Sequence, residues 1–97
     1  MSRMDEIAMT RTAEELYKLG KEYRDGTKDS LAMPTTAVKY FTKAAEKGHL
    51  EAKYDLACMY EQGIGCEVDI DKAKEYYNSA AYYGHNKAKR ALKRLER

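Results

Sequence analysis

Small and aromatic residues recur among polar ones at helical spacing from residue 37 to residue 60. The positions concerned are Ala37, Tyr40, Phe41, Ala44, Ala45, Ala52, Leu56, Ala57 and Tyr60. The stretch predicts two helices back to back, because Gly48 ends the first and the step from His49 to Leu50 turns the chain into the second. Small residues let two helix axes approach, and aromatic rings fill the space beside them. We therefore expect a closely packed helix pair here.

Much of this stretch recurs 36 residues later. The positions Ala37, Tyr40, Phe41, Ala44, Ala45, Gly48, His49 and Ala52 are matched in order by Ala73, Tyr76, Tyr77, Ala80, Ala81, Gly84, His85 and Ala88. The helix before Gly26 matches the helix before Gly63 at an offset of 37, so the first loop holds one additional residue. A fixed period of this length predicts a solenoid of helix pairs, whose function is carried by a repeated surface.

The pattern predicts an all-α fold of antiparallel helix pairs, with about five helices and no β-sheet. Thr12 and Glu15 form a capping box before the first helix, Pro34 suits the first turn of the second, and Asp69 caps the fourth. The expected helices cover residues 13–25, 34–47, 50–62, 70–83 and 86–97. Residues 1–11 fit either one or two helical turns or a frayed arm. We expect one domain over residues 1–97, with a first repeat at about 13–48, a second at about 50–84 and a capping helix at about 86–97.

Three short motifs follow one another between Leu56 and His85: Leu-Ala-x-x-Tyr-x-x-Gly, Gly-x-x-x-Asp-x-x-Lys-Ala and Tyr-Tyr-x-x-Ala-Ala-x-x-Gly-His. Their residues are Leu56, Ala57, Tyr60, Gly63, Gly65, Asp69, Lys72, Ala73, Tyr76, Tyr77, Ala80, Ala81, Gly84 and His85. This set resembles the Sel-1-like repeat, a subclass of the tetratricopeptide-like α-solenoids. The first repeat, residues 19–49, matches in its helices but departs in its loop, where TKDSLAMP replaces the second glycine and the aspartate.

The resemblance implies an adaptor or scaffold that binds other proteins and has no enzymatic activity. Some bacterial relatives have been described as hydrolases, so a hydrolase remains an alternative. The residues themselves show no catalytic arrangement: neither His49 nor His85 has a Cys or Ser partner at catalytic spacing, and no phosphate-binding loop is present. The two histidines occupy the same position in each repeat, which favours a structural role at a helix start.

The first helix of each solenoid pair usually lines a concave groove that binds partners. At 100° per residue, the side of the third helix opposite its core face holds Tyr54, Cys58 and Glu61. The repeat offsets place these positions in ladders across three helices. The ladders are Tyr17, Tyr54 and Arg90; Lys21, Cys58 and Arg94; and Arg24, Glu61 and Arg97. Tyrosine and arginine are frequent at binding hot spots, so we expect this groove to bind a protein or an acidic, partly extended peptide. The same side chains could instead form an ordinary solvated face.

The last helix offers an alternative surface, because it holds six cations and one acid. The cations are Lys87, Lys89, Arg90, Lys93, Arg94 and Arg97. They could contact a nucleic acid or another anionic partner. Cations near a helix C-terminus are also favoured by the helix dipole, and the net charge of the chain is only +2. We therefore keep the nucleic-acid hypothesis second to the adaptor hypothesis.

The composition also predicts the compartment and indicates that the protein needs no cofactor. No apolar run reaches the roughly 18 residues of a membrane span, and the first twelve residues lack a signal-peptide core, so we expect a cytoplasmic protein. Cys58 and Cys66 have no companion ligands at zinc-binding spacing. We expect two free thiols, no metal and no cofactor.

The last helix also carries charges where the third helix carries core residues. Lys93 and Glu96 stand at the positions of Ala57 and Tyr60. A charge buried there without a partner would cost several kcal/mol, on the order of the usual penalty for an unpaired buried ion, so we expect the array to end at this helix. An array of two repeats and one helix is short for a solenoid, which leaves weak self-association open.

Overall fold

The computed structural model describes residues 2–96, and within that range it has six α-helices and no strand. They are α1 (Arg3–Thr10), α2 (Ala13–Asp25), α3 (Pro34–Glu46), α4 (Leu50–Gln62), α5 (Ile70–Tyr82) and α6 (Asn86–Leu95). The expected all-α repeat architecture is confirmed, with one helix more than the five predicted. The additional helix, α1, begins at a capping box in which Ser2 and Asp5 satisfy each other's backbone amides. Residues 1–11 thus contain two turns of regular helix.

The helices stack in chain order, with α2 packed on α3 and α4 packed on α5 as the two pairs. α4 also packs against α3, and α6 packs against α5, so the molecule is elongated, with extents of 40 × 24 × 24 Å. Of the helices in residues 2–96, none has the length and apolar character needed to cross a lipid bilayer.

The core consists of two adjoining clusters, one for each helix pair. The first cluster lies between α2, α3 and α4 and contains Leu16, Ala37, Tyr40, Phe41, Ala44, Ala45, Ala52, Leu56 and Met59. The second lies between α4, α5 and α6 and contains Ala57, Ala73, Tyr77, Ala80, Ala88 and Ala91. Tyr60 and Tyr76 pack against both clusters with their rings stacked at 6.0 Å. The two pairs therefore share one continuous interior.

Gly20 lies where the ring of Phe41 on α3 packs closely against α2. A Cβ atom at this position would lie 2.7 Å from two ring carbons of Phe41, which is fully buried. The equivalent residue of the second pair, Ala57, is also fully buried. Gly20 thus leaves room for the facing ring of Phe41, and Ala57 is the small buried residue at the equivalent position.

Each repeat is joined to the next by a histidine that caps the helix following it and binds a glutamate located two helices before that helix. His49 accepts a hydrogen bond from the Ala52 amide through Nδ1 at 3.1 Å, which caps α4. Its Nε2 lies 2.6 Å from a carboxylate oxygen of Glu14 on α2, so Nε2 carries the proton and donates it. His85 caps α6 through the Ala88 amide at 3.2 Å and reaches Glu51 on α4 at 2.8 Å. The structural role predicted for both histidines is confirmed.

Candidate functional site

The side of the stack formed by α2, α4 and α6 holds the predicted groove residues, and we call it the α2–α4–α6 face. Its centre is α4, which carries two carboxylates that reach in opposite directions. Asp55 accepts a hydrogen bond of 2.7 Å from the Tyr17 hydroxyl and lies 3.5 Å from the guanidinium of Arg24, both on α2. Burial, and then this bond to Asp55, raise the pKa of Tyr17 well above its ordinary range. Asp55 therefore fixes α2 against α4.

Glu61 makes the corresponding connection to α6. Its carboxylate accepts two hydrogen bonds from the guanidinium of Arg94, at 2.6 and 2.9 Å, and one of 2.7 Å from the Tyr77 hydroxyl. The bonds from Arg94, followed by the bond from Tyr77, lower the pKa of Glu61 below its ordinary value. A bidentate arginine–carboxylate pair is directional, so it sets the position of α6 as well as neutralising the charge.

The two predicted groove tyrosines are half-buried and pack on the capping histidines. Tyr17 stacks on His49 with ring centroids 4.4 Å apart, and Tyr54 stacks on His85 at 4.7 Å. Tyr54 also lies tilted against the buried ring of Tyr77, at 5.8 Å. Both tyrosines therefore belong to the interior packing of each repeat as well as to the face, and replacing either one disturbs folding in addition to any binding.

The remaining predicted residues divide into those already engaged and those that are free. Lys21 lies over the ring of Tyr17 at 4.7 Å, Arg24 is paired with Asp25 and Asp55, and the thiol of Cys58 lies 3.3 Å from the Tyr77 hydroxyl. Arg90 is exposed and has no ion pair with any residue in the range 2–96. Arg97, the last member of the third ladder, lies outside the described residues.

Arg90 opens onto a shallow depression of about 440 Å³ at the α6 end of the face. The lining residues are Tyr54, Lys87, Ala91 and Arg94 together with Arg90. Lys87 is exposed and, like Arg90, is without an ion pair among the residues described. Two free cations beside an aromatic ring suit a carboxylate or another anion, and the bidentate bond to Glu61 holds Arg94 at the rim. This depression is the part of the face where unpaired cations lie beside an aromatic ring.

The sequence did not reveal that Asp55 and Tyr77 tie this face together. The residues that match Asp55 in the other repeat units are Lys18 and Ala91, so the repeat comparison carries no signal for it. The hydroxyl of Tyr77 is absent from its counterpart Phe41, so nothing in the repeat points to the bond with Glu61. Both interactions are specific to one repeat junction and are visible only in three dimensions.

Known proteins share this repeat. The family model described as Sel1 repeat matches residues 13–49 and residues 50–85. The exopolysaccharide production negative regulator of Rhizobium leguminosarum bv. viciae is 37% identical over 71 residues, which cover 72% of the present chain and 24% of that protein. The DAP3-binding cell death enhancer 1 of Rattus norvegicus is 40% identical over 59 residues, which cover 61% of the present chain and 12% of that protein. The chain thus spans a quarter or less of the length of these relatives.

A solved structure extends the similarity to three dimensions. The crystal structure of a Sel1 repeat protein from Oxalobacter formigenes superimposes with a TM-score of 0.84 at 33% sequence identity. The matched region covers 95% of the present chain and 26% of that protein. The arrangement of the helices, including the stacking of successive pairs, is therefore shared with a protein whose structure is known by experiment.

Proposed function

Because the chain belongs to the Sel1 repeat family, we propose that it is a non-enzymatic adaptor module that binds a segment of another protein on the α2–α4–α6 face. The observation that carries the proposal is the depression lined by Tyr54, Lys87 and Arg90. Tyrosine and arginine dominate binding energy at protein interfaces, and here both are held by rigid helices. The DAP3-binding relative, whose name describes a protein partner, supports this class of function.

The chemistry of the depression favours a partner segment that carries carboxylates. Lys87 and Arg90 have no acidic partner within residues 2–96, so an incoming carboxylate gains a charge-assisted hydrogen bond without displacing an internal one. The net charge of the chain is only +2, which is low for a protein that binds a continuous phosphate backbone. We therefore place an acidic peptide ahead of a nucleic acid.

We propose the cytoplasm as the compartment. Cys58 and Cys66 are both free thiols. Each is partly buried, and burial raises the pKa of the Cys66 thiol above its ordinary value, which slows its oxidation. Free thiols are the usual state in a reducing compartment.

A pair of matched double variants tests the binding face. Lys87→Ala/Arg90→Ala removes two cations from the depression, whereas Lys89→Ala/Lys93→Ala removes two exposed cations from the same helix that do not line it. Immobilised wild-type protein and both variants are incubated with lysate of the source organism, with and without nuclease treatment, and retained proteins are quantified by mass spectrometry. We expect a specific protein to be retained by the wild type and the control, and retained about tenfold less by the depression variant.

Two outcomes contradict the proposal. Equal retention by both variants places binding elsewhere on the molecule. Retention that disappears on nuclease treatment and falls steeply with salt identifies a nucleic-acid binder, which is the alternative function of the basic helix. The protein-binding proposal also predicts that a synthetic peptide from the retained protein binds the wild type in calorimetry.

A further inference from the structure

A group of exposed apolar side chains lies at the loops within the two helix pairs, away from the depression. Eight large apolar side chains are exposed in the described part of the chain, and five of them stand in or beside the α2–α3 and α4–α5 loops. They are Leu31, Met33, Ile64, Val68 and Ile70, and we call this surface the loop edge. Leu31 is 90% exposed and Val68 is 58% exposed. Apolar side chains concentrated in this way commonly mark an interaction surface.

The two loops lie side by side on a fixed backbone. A Cβ atom at Gly65 would collide with the backbone of Pro34, so the second loop rests directly against the end of the first. This contact is one residue from Ile64 and one residue from Met33. The amide of Met33, at the end of the first loop, donates to the carbonyl of Tyr23 on α2. The amide of Asp69, at the end of the second loop, donates in the same way to the carbonyl of Tyr60 on α4. The apolar side chains are therefore presented by an ordered surface, which lowers the entropic cost of binding.

Met33 occupies a position where the fold itself favours a polar residue. It is the N-cap of α3, and it makes no side-chain hydrogen bond to the helix. Asp69 holds the equivalent position before α5 and accepts a hydrogen bond from the Lys72 amide at 3.0 Å. The backbone angles of the two residues are similar, φ −133° and ψ 76° against φ −145° and ψ 93°. Met33 is half exposed and provides no capping hydrogen bond to α3, so a role outside folding best explains a methionine at this position.

The charges around the loop edge are opposite in sign to those of α6. Residues 25–36 and 63–72 contain five carboxylates and two lysines, a formal charge of −3 in a chain whose total is +2. Asp29, Glu67 and Asp71 are exposed and have no ion pair among residues 2–96. Lys72, one of the two lysines, lies over the ring of Tyr60. The apolar side chains are thus bordered by free negative charge.

We propose that the loop edge binds a second partner segment, an amphipathic stretch with apolar side chains on one side and lysines or arginines beside them. The apolar residues contact Leu31, Met33 and Val68, and the cations face the free carboxylates. The charge complementarity selects this occupant: an anionic membrane surface is repelled by the same carboxylates. A second copy of the chain offers cations on α6, but the apolar residues of α6 are buried or half-buried against its own α4 and α5. The surface is separate from the α2–α4–α6 face, so the inference is independent of the function proposed above.

The probe is a fluorescent helix-forming peptide of about 18 residues, built from leucine and lysine with the leucines on one face. A second peptide carries glutamate in place of lysine. Binding to the full chain is followed by fluorescence anisotropy. Leu31→Ser/Val68→Ser removes two apolar contacts, and Met9→Ser removes an exposed apolar residue of α1 as the matched control. We expect the lysine peptide to bind the wild type and the control within about twofold of each other, and the loop-edge variant to bind at least about tenfold more weakly.

Met33→Ser separates a binding role from a structural one. A serine at this N-cap supplies the missing acceptor, so the melting temperature should rise by about 4–8 °C while peptide affinity falls. A lower melting temperature with unchanged affinity overturns the inference, because Met33 would then serve the fold. Equal binding of both peptides, or equal binding by the loop-edge variant and the control, also overturns it. So does binding of the wild type to phosphatidylserine vesicles, or a dimer in sedimentation that Leu31→Ser/Val68→Ser abolishes.

Discussion

Replacing Gly20 by alanine tests how tightly α2 is packed on α3. The new methyl carbon would lie 2.7 Å from Cδ1 and Cε1 of Phe41. Non-bonded carbon atoms rest at about 3.5–4.0 Å, so the overlap is roughly 1 Å at two atoms. The phenyl ring is fully buried, with the ring of Tyr17 at 5.7 Å and the guanidinium of Arg24 at 5.5 Å. The ring has little freedom to turn aside, so the helices must separate.

Two effects of opposite sign decide the size of the change. Overpacking of a core by one methyl group costs about 1–3 kcal/mol. Alanine is better than glycine inside a helix by about 1 kcal/mol, which reduces the loss. Because the contacted atoms are ring carbons in a closed interior, we expect the steric effect to dominate. The free energy of unfolding should fall by about 1 kcal/mol, and the melting temperature by about 4–8 °C.

The assay is urea denaturation followed by circular dichroism, carried out as a double-mutant cycle with Phe41→Leu. In the Phe41→Leu background the ring edge is gone, so Gly20→Ala should be neutral or stabilising by up to about 1 kcal/mol. The reverse change at the equivalent position, Ala57→Gly, should be destabilising, because a fully buried methyl group and helix propensity are both lost. Gly20→Ala that stabilises the wild-type chain, or that acts equally in both backgrounds, would refute the close packing deduced from Phe41.

Two further predictions concern the polar connections between repeats. His85→Ala should lower the free energy of unfolding by about 1–2 kcal/mol in a urea melt, because the Ala88 amide loses its acceptor, and His85→Asn should recover most of that loss by restoring the cap. The pKa of Glu61 is lowered in the folded chain, so its stabilising contribution is complete above the ordinary glutamate pKa of about 4.3 and is lost as the pH falls through the lower folded value. Melting temperatures measured from pH 6 downwards should therefore fall less steeply below about pH 4 in Glu61→Gln than in the wild type, and parallel curves would show that the pair with Arg94 does not contribute.

The sequence predicted the helices and the repeat because those features depend on local and periodic signals. Glycines end helices, Asp69 caps one, and the offset of 36 aligns the two histidines, whose identical contacts the structure confirms. The exception is α1, which lacks a sequence match to another repeat. Its buried face consists of Ala8 with Met4 and Ile7 against the first core cluster, too few apolar positions to distinguish a helix from a frayed arm.

The candidate site was harder to predict because its residues act in pairs across helices. Helical spacing predicted that Tyr17 and Tyr54 share one face, but it could not show that each ring packs on a histidine, 32 and 31 residues later respectively. Helical spacing also could not show which cations form ion pairs within the chain. Arg94 is bound to Glu61, whereas Arg90 has no ion pair among residues 2–96. The sites proposed for partners thus depend on tertiary geometry that no spacing rule contains.

The link between a glutamate and the following capping histidine has a consequence for how such a chain can grow. Glu51 and His85 lie in the same unit, residues 50–85, so a tandem copy of that unit would carry both halves of the connection. The original His85 would cap the copied helix, and the copied histidine would cap α6. No new partner for the capping histidine would have to arise, because the histidine–glutamate joint at each end of the copy already exists in the parent chain. Gene duplication can therefore lengthen the array in whole units, because each unit carries the glutamate and the histidine that position it against its neighbour.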